Sequence, residues 1–83
     1  MQWRVGVLRS GVENIAWTDR GEEQDWPSAR VAALASLRAL VLEEGRQEYW
    51  LQVGDVDAIV HPGVDIEGRL NLSNVEGALP LER

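Results

Sequence analysis

The sequence predicts a two-layer α+β domain, an antiparallel sheet of four to five strands with one helix packed across one face, in the order ββαββ with an optional short fifth strand. Three observations predict it. A single long helical period runs from Trp26 to Glu44, alternating apolar segments flank it on both sides, and those segments are broken at Gly-containing turns. A helix with one apolar stripe and two amphipathic hairpins bury those surfaces most simply against each other.

The first hairpin is read from Gln2 to Thr18. Gln2 to Arg9 alternates, with Trp3, Val5 and Val7 on one face. Val12 to Thr18 alternates with Ile15 and Trp17 in phase. A three-residue loop Arg9-Ser10-Gly11, with Gly11 left-handed, pairs Trp3 with Trp17 and Val5 with Ile15, so all five apolar residues share the buried face. Gln2, Arg4, Asn14 and Thr18 then form a wet outer face. Asp19 to Asp25, DRGEEQD, reads as a polar connector. Its acids Asp19, Glu22 and Glu23 complement a helix N-terminus or form a contact loop for a basic partner.

Asp25 is a natural N-cap, Pro27 lies in the first helical turn, and Gly45 is placed to end the helix. The core-facing stripe is Ala29, Ala33, Leu34, Leu37, Leu40 and Val41, extended by Trp26 and the stem of Arg30. A second, smaller stripe of Val31, Ala35 and Leu42, with Arg38 among them, has no partner within the chain. It reads as a propensity-rich helix surface or as a contact with a partner or a second protomer.

The second hairpin is Gln47 to His61. Tyr49, Leu51 and Val53 match Val56, Ala58 and Val60 across a two-residue Gly54-Asp55 turn. Trp50 and Ile59 then face each other on the far side of the sheet. That pair is either covered by the C-terminal tail or anchors an interface, with Arg4 beside it, since Trp and Arg are typical hot-spot residues. Val64 to Gly68 reads as loop and Arg69 to Ser73 as a short fifth strand with Leu70 and Leu72 inward. Residues 74–83 read as an extended tail whose Val75, Leu79 and Leu81 dock on the body. One domain spans residues 1–83. Its expected core is Trp3, Val5, Val7, Ile15, Trp17, Leu34, Leu37, Leu40, Val41, Tyr49, Leu51, Val53, Ala58 and Val60.

Composition narrows the functional classes. The 83 residues are 45% apolar, too apolar for a disordered chain. There is no Cys, hence no disulfide framework, thiolate metal site or Cys nucleophile. All eight bases are Arg, so Schiff-base chemistry and a P-loop lysine are absent. The formal charge of −6 disfavours direct nucleic-acid binding, because phosphate neutralisation supplies most of that affinity. No apolar run approaches the roughly 20 residues of a transmembrane helix, and the N-terminus lacks a signal-peptide pattern, so a cytoplasmic location is expected.

Motifs for chemistry are sparse. Asp55, Asp57 and His61 share strand parity and could form a small metal or His–Asp site, but Asp55 belongs to the turn. Ser10, Ser28, Ser36 and Ser73 lie in no nucleophile elbow, and no GxGxxG or GxxxxGK[ST] occurs. No cofactor, metal or catalytic residue is assigned. Candidate partner-binding residues are Trp50, Ile59, Arg4, Asp19, Glu22, Glu23, Val31 and Leu42.

From Asp25 to Pro62 the layout resembles the small phage-encoded anti-CRISPR proteins that inhibit type I effector complexes. The resemblance rests on the Asp/Pro-started Ala-rich helix, the Gly45 break, the strand YWLQV, the Gly54 turn and the strand DAIVHP, preceded by a hairpin. It implies a non-enzymatic inhibitor whose acidic residues bind a basic, nucleic-acid-handling protein such as a CRISPR effector, in the host cytoplasm if phage-encoded. Antitoxins of the HicB type share the layout, which leaves open a small antitoxin or regulatory subunit acting as a homodimer. A metal-dependent hydrolase using Asp55, Asp57 and His61 is the remote alternative.

Overall fold

Asp25 and Gly45 bound the central helix as the sequence predicts. The computed structural model describes residues 1–82. In it α1 runs Trp26–Glu44. The Asp25 carboxylate accepts the Ser28 backbone N–H at 3.0 Å, which satisfies one of the helix's orphan donors. Gly45, at φ +76°, turns the chain out of the helix. The buried stripe is Trp26, Ala29, Ala33, Leu37, Leu40 and Val41.

Before the helix come β1 (Gln2–Leu8) and β2 (Ala16–Glu22). After it come β3 (Glu48–Val53) and β4 (Val56–Val60). They form one antiparallel four-stranded sheet in the order β2-β1-β3-β4. The two hairpins join through β1 and β3, which places Val5 beside Leu51 and Val7 beside Tyr49. These four side chains are fully buried beneath α1. The second hairpin has the expected register, Val53 opposite Val56 across Gly54-Asp55. Gly54 is at φ +58° while Asp55 is not at positive φ, the pattern of a II′ turn.

The first hairpin does not have the expected register. The connection is not three residues but seven, 9–15, because β2 begins at Ala16. Gly11 is left-handed as anticipated, at φ +78°, and sits in a turn closed by the Val12 N–H donating to Arg9 O at 3.1 Å. Trp3 pairs with Gly21 rather than Trp17, and Val5 with Asp19 rather than Ile15. Between Val5 and Gly6 the register shifts, so Asp19 and Trp17 oppose successive residues of β1 and Thr18 is the extra residue of a β-bulge. Its hydroxyl donates to Val5 O at 3.4 Å.

The bulge inverts parity within β2. Gly21 and Asp19 face the helix, whereas Trp17 faces away. The physical reason lies at Trp3. A Cβ on Gly21 would sit 2.7 Å from the Trp3 ring, so the helix-side face has room for that indole only where its cross-strand neighbour is glycine. Trp17 and Ile15 are therefore not core residues, and the segment Asp19–Glu22 is strand rather than connector.

The C-terminal region also departs from expectation. Leu70–Asn71 (β6) does not extend the main sheet but pairs with Gly63–Val64 (β5) as a separate two-stranded ribbon. Residues 73–76 form a one-turn helix, α2 (Ser73–Glu76), in place of an extended tail. Val75 and Leu79 complete the core, as expected of docking positions, and Leu70 and Leu72 pack against it. Leu81 is 76% exposed. Arg30 holds this segment to α1, donating to Leu79 O at 3.3 Å and Glu76 O at 3.1 Å. The Trp26 indole N–H donates to Pro80 O at 3.3 Å.

Candidate functional site

The sheet face away from α1 carries the candidate site. Cross-strand neighbours directly opposite each other share a face. Three pairings therefore join into one row across all four strands: Trp17 on β2, Gly6 on β1, Trp50 on β3 and Ile59 on β4. Gly6 lies between the inward-facing Val5 and Val7, so its bare side belongs to the outer face. A Cβ there would meet Ile15 Cγ2 at 2.6 Å and Trp17 Cε3 at 2.8 Å. Ile15 and Trp17 thus both pack over the glycine. Trp17 and Trp50 are half-buried, and Ile59 is 49% exposed.

A second row runs beside the first: Arg20, Arg4, Gln52 and Asp57. The Arg4 guanidinium stacks 3.8 Å from the Trp17 ring centroid, and its Nε donates to Gln52 Oε1 at 2.5 Å. A guanidinium held by a ring face and an amide is fixed in orientation before any ligand arrives. Arg9, Arg38 and Arg69 pair with Glu44, Glu76 and Glu67. Among the described residues, the exposed side chains of Arg20 and Asp57 make no ion pair. Gln2, Arg4, Arg20, Glu22 and Gln52 border an open cleft at this end of the face.

At the other end, Glu48 fixes Trp50. Its Oε2 accepts the indole N–H at 2.8 Å and its Oε1 lies 3.0 Å from His61 Nε2. Those two hydrogen bonds, from His61 first and Trp50 second, hold the Glu48 carboxyl below the usual glutamate range. His61 is therefore engaged with Glu48, not with Asp55 and Asp57. Asp55 sits in the turn and Asp57 opposite Gln52. Among the described residues no group of three His, Asp or Glu side chains is arranged to hold a metal.

The sequence-named partner-binding candidates separate into three places. Trp50, Ile59, Arg4 and Glu22 lie on the outer face. Asp19 turns toward the helix layer, where it accepts the Ser36 hydroxyl at 2.7 Å, and Glu23 follows β2 with its carbonyl accepting the amino terminus at 2.5 Å. Val31 and Leu42 are 64% and 62% exposed on α1. Val31 and Ala35 line one wall of a groove whose other wall carries Leu79 and Leu81 of the C-terminal segment.

That segment docks on α1, on the opposite side of the sheet from Trp50, and leaves the outer face uncovered. Sequence reasoning missed Trp17, Ile15, Arg20 and Asp57 as members of the site. The one available signal was Gly21, a residue small enough to lie against Trp3. Among the described residues no helix is long and apolar enough to cross a membrane. No family model, curated protein or solved structure matches this chain.

Proposed function

We propose that this protein is a non-enzymatic interaction module and that the outer face of its sheet is the surface it presents to a protein partner. The observation that carries the proposal is the in-register row Trp17–Gly6–Trp50–Ile59 with Arg4 stacked beside it. Two tryptophans and an oriented arginine at the centre of one open face have the composition of an interface hot spot. The C-terminal segment buries its own Val75 and Leu79 in the helix-side core, and both rings stay only half-buried on the opposite face.

Tryptophan and arginine also suit base stacking on a sheet. Here Glu22, Glu48 and Asp57 frame the face and the formal charge is −6, which opposes a polyanion. A protein partner fits better. An inhibitor of a nucleic-acid-handling effector complex is the specific form that the family resemblance implies.

The test is affinity capture by the tagged chain from the cells that encode it, with an untagged copy co-expressed. Trp50→Ala is compared with Val31→Asp on the helix side. A partner that survives Val31→Asp and weakens by about 2 kcal/mol or more, roughly 30-fold, with Trp50→Ala supports the reading. A partner indifferent to Trp50→Ala and lost with Val31→Asp overturns it.

A further inference from the structure

We propose that the outer sheet face docks a second copy of this chain, face to face, about a two-fold axis parallel to the strands. The proposal rests on the reading of that face as a protein contact surface and names its occupant. Its basis is charge self-complementarity. The row Arg20–Arg4–Gln52–Asp57 is positive at the β2 end and negative at the β4 end. Arg20 and Asp57 are exposed and make no ion pair within the described residues.

A two-fold axis along the strands lays β2 of one copy over β4 of the other. Arg20 then meets Asp57 of the second copy, twice in the dimer, and Arg4 meets Gln52. The neighbouring row transforms just as well. Trp17 lies over Ile59 of the second copy, and Trp50 lies against the Ile15–Trp17 pair that spans Gly6. An axis running across the strands instead would place β2 over β2 and leave Arg20 without an acid. Aligned sheets pack with strand directions within about 30°, which this arrangement allows. The two halves of an isologous interface must be complementary within one surface, and the charges of this row meet that condition.

Size sets the expected strength. Strands of five to seven residues, four abreast, give a face of roughly 20 × 19 Å at about 3.4 Å per residue and about 4.8 Å per strand. That lies at the small end of protein interfaces, so the dimer is concentration-dependent rather than permanent.

The test is analytical ultracentrifugation of the full chain from about 5 μM to about 1 mM, a range spanning the affinities small interfaces give. The wild type is expected to shift from monomer to dimer. Arg20→Asp and Asp57→Arg each set like charges against each other and are expected to raise the dissociation constant at least roughly 10-fold. The double variant Arg20→Asp/Asp57→Arg restores the opposite pairing and is expected to dimerise again. Circular dichroism of each variant confirms that the fold persists. A chain that stays monomeric throughout, or a dimer equally strong in both single variants, overturns the proposal. Capture of a different protein in a Trp50-dependent manner, with a monomeric chain, would retain the contact surface and remove the second copy as its occupant.

Discussion

A methyl group at Gly6 would lie 2.6 Å from Ile15 Cγ2, 2.8 Å from Trp17 Cε3 and 3.0 Å from Ala16 O. Two of these neighbours are side chains, but the third is backbone of the paired strand, so relief requires the hairpin itself to shift. Gly6→Ala is therefore expected to destabilise the fold by about 1–3 kcal/mol, the range of overpacked sites, and to lift Ile15 and Trp17 off the sheet. Urea unfolding measures the first effect and the Trp17 ring resonances the second. An unchanged midpoint would contradict the packing described. Residues also explain what the sequence concealed. Ile15 and Trp17 alternate in phase with a buried face, and alternation alone assigns them to the core. One bulged residue, Thr18, inverts that assignment for everything N-terminal to it on β2. A bulge leaves no alternation signal of its own. Trp50, Ile59 and Arg4 were legible as outer-face residues because β3, β4 and β1 have no irregularity between them.

At the scale of elements, α1 was legible to its ends because its boundaries are chemical: a carboxylate at Asp25, a proline in the first turn and a positive-φ glycine at Gly45. The C-terminal segment was less so. Beside the burial of Val75 and Leu79, it is held by the backbone carbonyls of Glu76, Leu79 and Pro80 accepting from Arg30 and Trp26, and carbonyls have no sequence signature. The Asp25 cap gives a prediction in pH. Accepting the Ser28 backbone N–H, and secondarily a side-chain hydrogen bond from the same residue, lowers the Asp25 pKa from its ordinary value. A depressed carboxyl pKa contributes stability that is present above the unfolded value and is lost as pH falls through the folded one. Asp25→Ala is thus expected to lower the thermal midpoint at neutral pH, with the gap from wild type narrowing as the solution is taken down through the acid range below the usual aspartate value. Thermal melts across that range test it. A gap that is constant with pH would show that the carboxylate's charge is not what caps the helix.

The whole molecule is a two-layer domain with an asymmetric division of labour. One sheet face is sealed by α1 and the C-terminal segment, and the other is open and aromatic. Its thinnest dimension is 17 Å, as a single helix layer on a single sheet requires. The acids that give the chain its formal charge of −6 lie mainly at edges, turns and helix surface, while Arg4 and Arg20 stand together on the open face. On the proposed function, the open face and not the exposed helix stripe meets the partner. A photo-crosslinking residue placed at Ile59, with a matched one at Leu42, tests it in living cells of the encoding organism. A discrete adduct is expected from position 59, of twice the chain's mass if the occupant is a second copy, and none from position 42. An adduct from position 42 with none from position 59 would contradict it.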